Sequence, residues 1–302
     1  MKIILSRKGF DSGYGGCPSP IFCDESMASF PIPDAKERLH SMNGMLCGGH
    51  DLGKVVQDLA AGLNPVHAIG RNAMIHLDPD LRDAGGMGQL GGYHAFGQDG
   101  AAQSHLSNQL VGCGDLFLFF GWFRRVQMFE GHWRFVPKSP EAHVIFGWLQ
   151  VGEVLKVSDY QNWRAIYPWL KDHPHVRNAR RYPENNTIYL ASEKLAIDSQ
   201  PTRLLGGGAF RKFSPLRQLT HPTQRKRQKK SVWQLPHWFS SFDAAGKRAL
   251  TYHGNPIRWP DDTKLGATVE LHSVARGQEF VLNLDSVPVA AANKWLKKLF
   301  SA

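Results

Sequence analysis

The chain has 302 residues, 42% of them hydrophobic and 21% charged, a composition that fits a globular core and excludes a disordered or fibrous chain. No run approaches the roughly 18 apolar residues of a membrane span, and the apolar patch before Arg7 and Lys8 is too short for a secretory signal. The formal net charge is +10, and the four cysteines show no C-x-x-C spacing, so a reduced, cytoplasmic, basic chain without a zinc site or disulfide framework is expected.

Ile3, Ile4 and Leu5 read as a short strand that empties into Ser6, Arg7, Lys8 and Gly9, then Asp11, Gly13, Gly15 and Gly16. Glycines let backbone approach a ligand, and two cations supply charge for phosphate or carboxylate. The loop matches no Walker or dinucleotide pattern, so a tight surface turn after an edge strand stands beside the anion-site reading. At 50–65, Val55, Val56, Leu59 and Leu63 fall at helical spacing, with Asp51 near the start and Gly62 and Pro65 at the end.

Residues 72–77 read as a strand that delivers His76, Asp78 and Asp80 at i, i+2 and i+4. If strand geometry continues through Pro79, one imidazole and two carboxylates share a face, able to bind a divalent metal or to act as acid and base. H-x-D also resembles part of the facial triad of non-haem iron oxygenases, which needs a distant second histidine; His94, His105, His173 and His175 are each candidates. An acidic turn without chemistry is the competing reading.

A glycine cluster precedes residues 99–109, a short helix that Asp99 could cap. Its start offers free amides to an anion, and Gln98, Gln103 and His105 lie in or beside its first turns, where a glutamine can read a base edge. Cys113, Gly114 and Asp115 introduce a continuous apolar strand at 116–123, followed by strands at 133–137 and 145–157, the latter with Gly147 and Gly152 inside it. Glycine within a strand signals bulges or tight curvature. This 111–157 stretch resembles the PUA, ASCH and EVE group of small barrels, which bind RNA or modified DNA bases.

Further strands are expected at 185–192, 269–274 and 278–284, with a closing helix from about Val289 that turns Trp295 and Leu299 inward. Between Ser199 and Phe242 there is no acidic residue, while Arg203, Arg211, Lys212, Arg217, Arg225, Lys226, Arg227, Lys229 and Lys230 all fall there. Such concentration is the footprint of a polyanion partner, or of a solvated loop hinged at 206–208. Trp233, His237, Trp238 and Phe239 follow directly, suited to base stacking or to core packing.

The fold class expected from these elements is α+β: a mixed sheet with a curved, barrel-like, PUA-like β-rich half and an α/β N-terminal part. No G-x-S-x-G elbow, H-E-x-x-H helix or zinc-deaminase signature is present.

Four separated blocks, SRKGFDSGYGG-PSP at 6–20, HLDPDL at 76–81, FGQDGAAQSHLSNQLVGCGDLFLFFGWFR at 96–124 and ARGQEFVLN at 275–283, together resemble the nucleotide modification associated domain family, third class. The resemblance runs nearly end to end and implies one such domain over 1–302, acting on or recognising modified nucleotides in nucleic acid, DNA foremost, alongside other DNA-modification proteins. It implies no particular cofactor or metal. Within the matching blocks, Asp11, Asp78, Asp80 and His105 are candidate catalytic residues. Ser6, Arg7, Lys8, Gln98, Gln103 and Asp115 are candidate substrate-binding residues. The basic run at 225–230 lies outside the blocks. An enzyme on nucleic-acid bases, a non-catalytic reader and an enzyme on free nucleotides all remain open, and the expected arrangement sets Arg7, Lys8 and Asp11 across a cleft from Asp78 and Gln98.

Overall fold

The computed structural model describes residues 1–61, 69–81, 94–223, 229–260, 266–275, 277 and 279–301. The aromatic run at 116–123 extends into the strand Leu116–Phe129, which pairs antiparallel with the longer strand Glu141–Lys156. Among the described residues these two form the spine of a nine-stranded mixed sheet. Its path runs Glu279–Asn283, Lys2–Arg7, Leu116–Phe129, Glu141–Lys156, Thr187–Ala191, Ala95–Gln98. Lys2–Arg7 lies parallel to Leu116–Phe129 and antiparallel to Glu279–Asn283.

The register of Glu141–Lys156 shifts between Ile145 and Gly147 and again between Val151 and Glu153. Gly147 and Gly152 therefore sit at irregularities, which bend and twist a strand locally. The bend has a visible result. Gln98 on the strand at one end of the path bonds to Glu279 on the strand at the other end, 2.6 Å apart. The sheet curls until its end strands face one another, and the face carrying both side chains is concave. No closed barrel forms among the described residues; helix Gly100–Asn108 packs against Glu279–Asn283 in the gap instead.

Alternation assigns side chains to the two faces. Cross-strand pairing puts Ser6, Phe119 and Glu279 on the concave side, and Phe96, Phe117 and Tyr189 pack with them. The other face carries Arg7, Phe120 and Phe280, with Trp233 edge-on to Phe120. Behind the edge strand, Ala95, Ile188 and Leu190 meet Trp163, Trp169, Leu170 and Val176 in a third apolar cluster.

Helix Leu52–Ala60 begins as its sequence indicates. Asp51 accepts from the amides of Gly53 and Lys54, and Val55, Val56 and Leu59 are buried. Its expected end at Gly62 and Pro65 lies outside the described residues, as does the glycine cluster. The closing helix Val289–Ser301 buries Leu296 and Leu299, and Trp295 packs edge-on against Trp238 and Phe239.

Two expectations are corrected, and one open alternative is decided. The 72–77 strand contracts to Ile75–His76. The 206–208 hinge is instead part of the strand Gly207–Ala209, paired with Gly147–Leu149; a Cβ on Gly208 would fall 2.7 Å from the Trp148 ring. Trp233, Trp238 and Phe239 are core residues rather than stacking platforms.

Candidate functional site

On the concave face, the end of Lys2–Arg7 and the end of Ala95–Gln98 meet over one carboxylate. Lys8 Nζ lies 2.9 Å from Glu279 Oε1, and Gln98 Nε2 donates to that same oxygen at 2.6 Å. The ammonium also sits 4.3 Å from the centre of the Phe96 ring. Lys8 and Glu279 are buried, so their charges compensate each other. Glu279 Oε2 and the hydroxyl of Ser6, cross-strand neighbours on this face, are buried without a hydrogen-bond partner.

Around the edge strand lies a second group. Asp78 Oδ1 accepts from the amide of Gly97 at 2.9 Å and lies 3.3 Å from His173 Nε2. Asp78 Oδ2 lies 3.5 Å from His175 Nε2 and 3.8 Å from His76 Nε2. Gly97 makes this approach feasible, because a Cβ there would fall 2.4 Å from the His175 ring. Tyr182 stacks on His175 with ring centres 4.2 Å apart. Fully buried Glu37 pairs with Arg177 and is bonded by Asn178, which ties the histidine-bearing segment to the 34–37 turn.

Burial works to raise the Asp78 carboxyl, but the neighbouring imidazoles of His173, His76 and His175 outweigh it, and the group is held well below the carboxylate range. Burial pushes the His175 imidazole down to about 4. An ionised carboxylate thus stands beside a neutral ring at neutral pH. Asp99 links the two groups: desolvation raises its carboxyl against the pull of His76 and Lys8. Its side chain makes no cap bond to helix Gly100–Asn108, contrary to the capping role expected for it.

Among the described residues, His76, Asp78 and His175 form a group that could hold a metal, each offering one atom within 4.8 Å of the others. Of the four histidines considered as partners for the H-x-D pair, the fold delivers His175, with His173 beside the carboxylate. Asp80 is not part of the set: it is buried and bridges to Ala95, because strand geometry does not persist past His76.

Arg7 is separated from Lys8 by the sheet itself. It points to the opposite face, donates to the carbonyls of Ala275 and Val274, and its guanidinium is lowered by desolvation against the pull of Asp11. There it lines an open cleft of about 770 Å³ with Asp11, Tyr14, Trp122, Lys229 and Lys230. Asp11 Oδ1 accepts from the amides of Gly13 and Tyr14, and Gly15 takes φ +83° with the Phe10 ring where a Cβ would stand. Lys230 Nζ lies 3.9 Å from the centre of the Trp122 ring. The N-terminal loop and the end of the basic stretch therefore share one surface, but Arg7 and Asp11 do not face Asp78 and Gln98.

The remaining candidates are placed as follows. Asp115 accepts from the amides of Lys2 and Gly112, anchoring the first strand to a turn. Gln103 donates to Ser107 and accepts from the Tyr189 hydroxyl in the concave interior. His105 meets the Thr251 hydroxyl at 3.2 Å, and burial lowers its imidazole. Arg217 is buried over Phe210 and bonds the carbonyls of Leu299 and Lys212, so it secures the closing helix rather than presenting charge to a polyanion. Arg211 and Lys212 are exposed, beside Met27 and Ser26. Arg225, Lys226 and Arg227 lie outside the described residues.

Sequence reading did not single out Glu279, Asp99 as a titrating group, or Asn186. The available signal for Glu279 was a carboxylate opening the apolar run Phe280, Val281, Leu282 inside a family-like block. No helix among the described residues is long and apolar enough to cross a membrane. No curated protein and no solved structure matches the chain. The model of one family, nucleotide modification associated domain 3, matches residues 2–283, which takes in all four motif blocks and both groups of side chains described above, and the chain belongs to that family.

Proposed function

We propose that the protein is an enzyme, or a component of one, that modifies the base of a nucleotide within nucleic acid, with its chemistry at the concave edge of the sheet. The observation that carries this reading is the pair of buried, partnerless oxygens, Ser6 Oγ and Glu279 Oε2, beside Lys8 and Gln98. Buried polar atoms in a native fold have partners, and a bound base edge supplies donors for such oxygens. In this reading Glu279 and Gln98 orient the base and Lys8 neutralises charge. Asp99, raised by desolvation and close to the His76 and Asp78 group, moves the proton. Family membership supports the nucleotide as ligand class.

The test is mass spectrometry of nucleosides from DNA of cells that carry the gene, lack it, or carry Asp99→Asn or Asp78→Asn. A base present only with the intact gene is expected; indistinguishable profiles with and without it refute the enzyme reading.

One observation favours a second reading, a non-catalytic reader. The cleft on the other face combines Tyr14 and Trp122 with Arg7, Lys229 and Lys230, the mixture of rings and cations that single-stranded nucleic acid uses. Salt-sensitive oligonucleotide binding with unchanged nucleoside profiles supports this alternative.

A further inference from the structure

We propose that His76 Nε2, the Asp78 carboxylate and His175 Nε2 bind one divalent first-row transition-metal ion. Hydrogen bonds around the two histidines and the spacing of the three side chains support this site, whether or not the base-modification reading holds.

The orientation of each ring is set by its far nitrogen. Asn186 donates through Nδ2 to the carbonyl of His175 at 2.9 Å, so its Oδ1 is the acceptor facing His175 Nδ1 at 2.7 Å. Nδ1 therefore carries the proton, and the lone pair is on Nε2, which lies 3.5 Å from Asp78 Oδ2. A lone pair facing a carboxylate oxygen is unfavourable unless a cation lies between them. A histidine whose other N–H is held by a side-chain oxygen is the usual arrangement of a metal-binding imidazole.

His173 completes the pattern by the opposite tautomer. Its Nδ1 accepts from the amide of His175 at 3.2 Å, which leaves the ring proton on Nε2, 3.3 Å from Asp78 Oδ1. Oδ1 also receives the amide of Gly97. One carboxylate oxygen thus lies beside two N–H groups, while the other lies near the ring nitrogens of His175 and His76. The carboxylate is oriented, with Oδ2 presented to an ion.

The dimensions fit. Ligand atoms about 2.0–2.2 Å from an ion lie roughly 3.0–3.5 Å from one another in octahedral or tetrahedral arrangements. The observed separations are 3.5 and 3.8 Å from Oδ2, and all three atoms lie within 4.8 Å. Closing the set needs small adjustments, and His76, with 17% of its side chain exposed, is the least confined of the three. Two imidazoles and one carboxylate select a transition metal over magnesium or calcium, and three protein ligands leave coordination positions open.

The untagged full-length protein, stripped with chelator, is titrated with Co(II) and followed by visible d–d absorption. One ion per chain is expected, resistant to excess Mg(II). His76→Ala and Asp78→Asn should each weaken binding at least tenfold, and Asn186→Ala, which keeps all three ligands, by roughly 10- to 100-fold. His132→Ala, at an exposed ring elsewhere, should bind as wild type. Melting curves report whether each variant is folded. Absence of d–d bands up to about 1 mM Co(II), or equal affinity in folded His76→Ala, overturns the assignment. His76 is the most exposed of the three ligands, so this variant decides the matter even if Asp78→Asn does not fold.

Discussion

Gln98 and Glu279 lie on the two end strands of the sheet path and are nevertheless in hydrogen-bond contact at 2.6 Å. That bond measures the curvature of the whole sheet, and Lys8 shares its acceptor oxygen.

Breaking the Lys8 pair from one side should be expensive. Glu279→Gln strands a buried ammonium, and losses of about 3–5 kcal/mol are typical when one partner of a buried pair is removed. Replacing both, as Lys8→Met with Glu279→Gln, should recover part of it, leaving a coupling of about 1–3 kcal/mol in a double-mutant cycle from urea denaturation. Strict additivity would show that the pair does not act as a unit.

Acid should destabilise the fold from just below neutrality. Burial lowers His253 to about 4, and the ring is used as a neutral one: Nε2 accepts from the amide of Val274, and Nδ1 faces the carbonyl of Thr251. The unfolded ring titrates near 6.5, so this stability is complete above that pH and is lost as pH falls toward 4. The contribution lost between pH 7.5 and pH 5 is about 2 kcal/mol. His143, fully desolvated and lowered well below its ordinary value, accepts from Trp233 Nε1 and acts in the same direction. Urea midpoints against pH should fall less steeply in His253→Gln than in wild type.

Gly97→Ala should disturb the histidine cluster without touching a ligand. The new methyl group would meet the His175 ring at 2.4 Å and His173 at 3.0 Å. Overpacking of this kind costs about 1–3 kcal/mol. Thermal melts should show that loss, and Co(II) affinity should drop with it, whereas substituting Gly131, with open space around its Cβ position, should leave Co(II) affinity unchanged.

Binding to single-stranded oligonucleotide, followed by fluorescence anisotropy, should weaken with salt. Lys229→Ala and Lys230→Ala should each reduce the log–log salt slope by about 0.7. Trp122→Ala should cost about 1–3 kcal/mol with the slope unchanged. A slope that ignores both lysines would remove the cleft as a phosphate track.

The sequence was legible where local chemistry decides the outcome. Asp51 before Leu52, and the Phe-rich run at 116, produce their helix and strand because capping and alternation act within a few residues. Gly147 and Gly152 announced the bulges that curve the sheet. The site was harder to read because its members come from residues 8, 76–78, 97–99, 173–186 and 279, brought together by strand order that no local pattern encodes. Arg7 and Lys8 read as one basic pair, yet strand alternation sends them to opposite faces. Asp99 stands at the start of its helix without making the cap bond expected of its side chain. Arg217 belonged to a basic run by composition and to the core by packing.

The first strand lies between two neighbours that are synthesised at very different times. Leu116–Phe129 leaves the ribosome long before Glu279–Asn283 does. Until then Lys2–Arg7 has one unpaired edge, and Lys8 has no counter-charge in an apolar setting. A nascent chain stalled before residue 279 should therefore remain open along that edge, a target for chaperones and proteases. The fold becomes secure only when the strand carrying Glu279 arrives.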